Sequence, residues 1–213
     1  MKQALVLLTL LGGIAFSAQA HEVWLERSSD GSVKVQFGEP GSEYATAEEL
    51  ASLSAARIFD ANAKAPLTAT AQADHLLVKT QDGKSDVSFY ADTAWQPWKT
   101  ETGLQAAILY ARTGQEHTKA LQDFEFTPVK SGTPEFVLSY KGAPLVNHPV
   151  QVYRPGFWSK SFTTDAQGKF ALDIPDAGRY LLVSNHTTEG KQTLAGNEVD
   201  SVLHITTTSF ITQ

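Results

Sequence analysis

The run EFVLSYKGAPLVNHPVQVYRPG, from Glu135 to Gly156, combines strand-forming residues with turn-forming glycine, proline and asparagine. Two later runs, Lys160–His186 and Glu198–Phe210, have the same strand-rich character and are separated by turn residues. Short apolar segments that recur between Gly, Pro and Asn turns are typical of an all-β fold. The second half of the chain is therefore predicted to be a β-sandwich.

The first half of the chain carries similar signals. In SVKVQFGEPG, from Ser32 to Gly41, apolar and polar residues alternate until a Gly/Pro cluster, as expected of a half-buried strand. One short helix is predicted after Thr46, because Glu49 three residues later completes a capping-box pattern. The pair Asp82-Gly83 predicts a hairpin, whereas Leu104–Gly114 is compatible with either a short helix or a buried strand.

These observations predict an all-β protein with two β-sandwich domains of immunoglobulin or transthyretin type and one or two short helices. The predicted domains are residues 21–125 and 126–213, each near the lower end of usual domain size. The stretch Phe126–Gly132, FTPVKSG, is the predicted hinge between them.

The N-terminus has the pattern of a secretory signal. Lys2 precedes an apolar run over Ala4–Phe16, and small residues follow at Ala18 and Ala20. Cleavage after Ala20 would remove residues 1–20 and make His21 the first residue of a periplasmic protein. The apolar run is too short to span a bilayer, and no later run replaces it, so stable membrane insertion is not expected.

The amino-acid composition limits the classes of molecule and metal ion that the protein is expected to bind. Without Lys2 the chain has 17 − 1 = 16 basic residues against 23 acidic residues, a formal charge of −7. Such a chain is not suited to nucleic acid or to an anionic membrane surface. With no cysteine, and with Met1 as its one methionine, the mature chain offers no sulfur ligand. Imidazole, carboxylate and amine ligands favour Cu(II), Ni(II), Co(II) or Zn(II) over Cu(I).

The C-terminal half resembles a known small sandwich. The segments YKGAPLVNHPVQVYRPG (140–156) and FTTDAQGKFALDIPDAGRYLLV (162–183) are similar to the transthyretin-like or carboxypeptidase-regulatory-like module. This resemblance implies a sandwich fold and no particular activity.

A wider resemblance covers nearly all of residues 21–213. The start HEVWLE, the middle segment ILYARTG and the ending HITTTSF resemble an uncharacterised bacterial exported family, often described as periplasmic components of cobalt or nickel uptake. The family usually has an acidic residue after the leading histidine and a tryptophan close by, which Glu22 and Trp24 match. The resemblance implies a metal-handling role, with a metal ion and a membrane uptake transporter as partners.

The predicted metal ligands are His21, His186 and His204. An N-terminal histidine can chelate an ion through its α-amine and its ring Nδ1, and a third nitrogen from a distant histidine would complete a set suited to Cu(II) or Ni(II). Strand alternation places His186 at a strand end and His204 among small polar neighbours on one sheet face. The alternative for each of the two is a half-exposed strand histidine that forms a hydrogen bond to a threonine or to a backbone carbonyl.

Among the other histidines, His148 ranks third as a candidate ligand, after His186 and His204. His148 lies in a turn with a solvated ring, and both His117 and His75 are predicted to be surface residues.

Two other functions stay open beside a carrier of nickel, cobalt or copper. The first is a structural or interaction protein without metal. The second is a copper-dependent polysaccharide oxygenase, in which Trp95, Trp98 and Trp158 would form a platform for sugar. Common hydrolase, metalloprotease and phosphate-binding motifs are absent from the sequence. The chain is therefore not predicted to be an enzyme.

Overall fold

The computed structural model describes residues 21–62, 66–156 and 158–213, and the predicted signal peptide over residues 1–20 lies outside them. The elements of the described residues are, in chain order, β1 (Glu22–Arg27), β2 (Val33–Glu39), β3 (Glu43–Tyr44), α1 (Ala47–Ala51), β4 (Arg57–Asp60), β5 (Ala69–Ala71), β6 (Leu76–Val78), β7 (Val87–Ala91), β8 (Trp98–Thr100), β9 (Gly103–Thr113), β10 (Phe124–Pro128), β11 (Glu135–Tyr140), β12 (Ala143–Pro144), β13 (Pro149–Tyr153), β14 (Ser159–Thr163), β15 (Lys169–Ala171), β16 (Gly178–Leu194) and β17 (Asn197–Thr212).

These strands form three sheets. The first has the order β1-β2-β6-β5 with β3 paired to β2. The central sheet has the order β14-β13-β16-β17-β9-β7-β4 with β8 paired to β9, and the third has the order β10-β11-β12 with β15 paired to β11. Neighbours are antiparallel apart from β17 and β9, which run parallel. The prediction of an all-β sandwich fold is confirmed.

Strands β9 and β17 are covered on both faces. From β9, Leu109 and Ala111 belong to the core under the first sheet, whereas Ile108 and Tyr110 belong to the core under the third. Strand β1 packs on β9 and β17 from one side, and β10 packs on them from the other. The ambiguous segment Leu104–Gly114 is therefore a strand. It reads as a continuous apolar run because both of its faces are buried.

The division into domains 21–125 and 126–213 stays a prediction, because separate domains are defined by whether each half folds independently. Strands from both halves pair in the central sheet, where Ser201 is the register partner of Gln105 and Ser209 that of Thr113. The predicted hinge is wrong at its start: Phe126 is fully buried within β10 and is paired with Leu138 of β11.

The predicted hairpin at Asp82-Gly83 is also wrong, although the turn itself forms. Gly83 has a φ of +67°, and the Asp82 carboxylate accepts hydrogen bonds from the backbone N–H groups of Lys84 and Ser85. The strand before the turn, β6, belongs to the first sheet, while β7 belongs to the central sheet. The turn therefore carries the chain between layers instead of joining two paired strands.

The helix prediction is confirmed at α1. Thr46 accepts a hydrogen bond from the backbone N–H of Glu49, whose side chain in turn accepts from the backbone N–H of Thr46. Leu50 is the buried residue of this helix. Within the described ranges, no helix has the length and apolar character that a membrane crossing needs.

Candidate metal site

Three histidine side chains lie in a row between the central and third sheets. His186 of β16 and His204 of β17 are direct register partners, with ring centroids 6.4 Å apart. The His148 ring, from the turn before β13, has its centroid 5.8 Å from that of His186. Tyr140 of β11 packs against both strand histidines, at 5.0 Å from His186 and 4.9 Å from His204. The structure thus brings two of the three predicted ligands together and adds a third histidine.

His204 is the buried member of the row, with 3% of its surface exposed. Its Nδ1 lies 3.2 Å from the Tyr110 hydroxyl, and its Nε2 lies 3.2 Å from both the Tyr140 hydroxyl and Thr188 Oγ1. Burial lowers its pKa to about 4, and the nearby charges of His186 and Lys141 contribute. His204 is therefore neutral, and metal binding by either ring nitrogen would have to break a hydrogen bond.

His148 has a ring nitrogen whose protonation the structure decides. Its Nε2 lies 2.8 Å from the backbone oxygen of Asn185 on β16. A carbonyl oxygen can only accept a hydrogen bond, so Nε2 carries the proton and Nδ1 carries the free lone pair in the neutral ring. The sequence prediction of a solvated ring missed this contact, because it joins residues 37 positions apart in the chain.

His186 lies between the other two rings and is only partly buried. Burial lowers its pKa, with a smaller contribution from the charge of His148. Strand β16 continues to Leu194, so His186 is not at the strand end that the sequence predicted. It lies instead beyond Val183, where the pairing of β16 with β13 stops. This leaves its ring accessible from solvent at the side of β16 that carries His148.

His21 is not brought to this row. It precedes β1, and its ring packs edge-on against Phe37 of the first sheet, with centroids 5.4 Å apart. On β17 the Thr207 hydroxyl bonds to the Val23 carbonyl of β1, and Thr207 points to the opposite face from His204 because the two are three positions apart in a strand. The site predicted from His21 with His186 and His204 is therefore not formed, because the central sheet separates its members.

The described residues contain no larger set of metal ligands. Among the described residues, the histidine row included, no group of three or more His, Asp or Glu side chains has the arrangement to hold a metal ion. Glu22, beside His21, is partly buried near Glu39, and burial followed by the Glu39 charge raises its pKa to about 7.

The tryptophans proposed as a sugar platform do not share a plane. Trp95 and Trp98 meet edge to face at 85°, and Trp95 also packs on Phe37. Trp158 is 53% exposed and is covered on one face by the guanidinium of Arg154. Stacking on a flat sugar face would need rings that lie side by side. Trp95 instead packs against the core under the first sheet, and Trp98 meets it edge-on from β8.

Comparison with known proteins adds no relative to this picture. No protein-family model matches the chain, and no curated protein matches it either. The site itself is therefore the basis on which a function can be inferred.

Proposed function

We propose that the protein binds one borderline divalent metal ion, Ni(II), Co(II) or Cu(II), at His148 and His186, and carries it in the periplasm for uptake. The observation that carries this proposal is the close approach of the two imidazole rings, which meet at 67° with centroids 5.8 Å apart, with the Nε2 proton of His148 already donated to the Asn185 carbonyl. The uptake role and the periplasmic location come from the family resemblance and the signal pattern.

The ring separation suits a shared ion. A metal about 2.1 Å from a nitrogen of each ring holds two imidazole centroids roughly 5 to 6.5 Å apart, and the observed separation is 5.8 Å. The hydrogen bond from His148 to a backbone carbonyl is the support that metal-bound imidazoles usually have from their second nitrogen. It orients the ring and leaves Nδ1 free for the metal.

The type of ligand selects the class of metal. Neutral imidazole suits Ni(II), Cu(II) and Zn(II), and the sequence offers no thiolate that would favour a softer ion. Two protein ligands leave the remaining coordination positions to water or to a ligand from another molecule. Such an incomplete set is suited to an ion that is bound and released, as a carrier requires.

The test is calorimetric titration of residues 21–213 with Ni(II), Co(II) and Cu(II). The wild-type protein is expected to bind one equivalent, and His148→Gln and His186→Gln should each weaken binding at least tenfold, because each removes one of two ligands. His75→Gln is the matched control, since His75 lies in the bend before β6 of the first sheet, with its ring beside Asp74. It should bind as the wild type does.

Two outcomes would overturn the proposal. Absence of binding in the wild type would favour a structural or interaction protein without metal. Binding that is lost in His21→Ala but kept in His148→Gln would instead place the ion at the N-terminal chelate, on the other side of the central sheet. A loss in all variants, including the control, would point to a folding defect, which circular dichroism of each variant resolves.

A further inference from the structure

A cluster of buried charges joins β9, β10 and the segment before β7, away from the histidine row. The side chains of Arg112, Asp86 and Glu125 have no solvent exposure. Arg112 donates to the Asp86 carboxylate and to the backbone oxygen of His117, and its Nη1 lies 3.4 Å from Oε2 of Glu125. One guanidinium therefore faces two carboxyl groups in a fully buried region.

The two carboxyl groups have very different surroundings. Asp86 accepts hydrogen bonds from Arg112 and from the backbone N–H groups of Glu116 and His117, at 3.1 and 3.0 Å. Glu125 accepts at Oε2 from the backbone N–H of Leu121, at 2.7 Å. Its Oε1 is buried and has no hydrogen-bond partner in the part of the chain that the structure describes. The donors thus stabilise a charge on Asp86 far better than on Glu125.

We propose that Glu125 keeps its proton in the folded protein at pH values where an ordinary glutamate is fully ionised, and that its ionisation as the pH rises destabilises the fold. A full negative charge on Glu125 would leave the cluster with two buried anions for one buried cation. Such an excess charge is costly in a dry interior, and a proton removes it. Burial accordingly raises the pKa of Glu125 to about 7, against the opposing effect of Arg112.

His117 is the other group that could balance this charge. Its Nδ1 lies 3.6 Å from Oδ2 of Asp86, and about a third of its side chain is exposed. A proton on His117 would neutralise the cluster equally well on a charge count. Its ring faces Asp86, however, while the oxygen without a donor belongs to Glu125.

The consequence is that the stability of the folded protein should decrease as the pH rises. A carboxyl group whose pKa is higher in the folded than in the unfolded state contributes stability that is full below the unfolded pKa and is lost as the pH rises through the folded pKa. For Glu125 the window runs from about 4.5 to about 7. Over that window the wild type should lose a factor of up to roughly 300 in its folding equilibrium constant relative to a variant that cannot ionise.

The test compares the wild type with Glu125→Gln, the uncharged isostere, by urea unfolding at a series of pH values between 4 and 8. The stability of the wild type minus that of Glu125→Gln should fall between about pH 4.5 and about pH 7 and level off above that. His117→Gln is the control and should keep the pH dependence of the wild type. A difference that stays flat would refute the proposal, and a pH dependence abolished by His117→Gln would assign the proton to His117.

Glu125→Gln could fail to fold, so a direct measurement accompanies it. The side-chain carboxyl ¹³C shift of Glu125 in the wild-type protein should titrate near neutral pH, well above an ordinary glutamate. Titration at the ordinary value would overturn the proposal without any variant.

Discussion

Replacement of Thr207 by valine should destabilise the protein, because the Thr207 hydroxyl joins the last strand to the first. Its Oγ1 donates a hydrogen bond of 2.7 Å to the carbonyl oxygen of Val23, and the Ser209 hydroxyl donates in the same way to Leu25. Strand β1 is an edge strand of the first sheet, paired with β2 in the described residues. Side-chain hydroxyl groups of the central sheet thus satisfy two carbonyl groups that face away from β2.

The magnitude follows from the environment of this hydrogen bond. Thr207 has no exposed surface, so water cannot replace the lost donor. Thr207→Val keeps the shape of the side chain and removes the donor, which leaves the buried Val23 carbonyl without this partner. Such a loss costs about 1 to 3 kcal/mol. Valine is at least as favourable as threonine in a strand, so we expect a net loss of about 1 to 2 kcal/mol, a sizeable share of an ordinary folding free energy of about 5 to 15 kcal/mol.

Urea unfolding followed by tryptophan fluorescence measures this loss, with an unchanged slope as evidence that only stability has changed. The control is Thr187→Val, which makes the same substitution at an exposed position of the neighbouring strand β16. Thr187→Val should leave the free energy of unfolding within about 0.5 kcal/mol of the wild type. If Thr207→Val were as stable as Thr187→Val, the hydroxyl link between the layers would not contribute to stability.

Two further substitutions test the packing of the layers. Phe126→Ala should lower the free energy of unfolding, measured with urea, by about 3 to 5 kcal/mol. The reason is that it empties a fully buried site, where the Phe126 ring packs on Phe170 with centroids 5.7 Å apart. A loss below about 1 kcal/mol would contradict this packing. Gly114→Ala should lower the melting temperature measured by calorimetry. Gly114 has a φ of +112°, and an added Cβ would collide with the Asp86 carboxylate. An unchanged melting temperature would show that neither the backbone nor Asp86 constrains this position.

The sequence alone was sufficient for the local features of the fold. Alternation in Ser32–Gly41 predicted a strand that forms as β2, and the capping box at Thr46 begins the helix where the sequence predicted it. Both signals act within a few residues of the chain, so the rest of the fold has little influence on them. The continuous apolar run over Leu104–Gly114 was ambiguous, because burial on both faces of a strand removes the alternation that identifies it.

The candidate site could be predicted only in part. Strand alternation placed His204 on a sheet face but put His186 at a strand end, whereas β16 continues to Leu194. It could not show that the two are register partners or that His204 is buried among tyrosine hydroxyl groups. His148 offered no periodic signal, since a turn residue gains its role from the strand that passes beside it. The His21 chelate depended on an approach that the central sheet prevents.

What the sequence determined by itself was the class of structure and chemistry: an all-β fold, and a chain with six histidines and no sulfur ligand beyond Met1. The tertiary structure alone decided which strands are neighbours. The parallel pairing of β9 with β17 joins residues 96 positions apart, as Gln105 with Ser201, and the turn at Asp82-Gly83 leads to a different sheet instead of a hairpin. The physical reason is that the periodicity of a strand depends only on how its own side chains alternate between its two faces. Which layer covers each face depends on packing between distant parts of the chain.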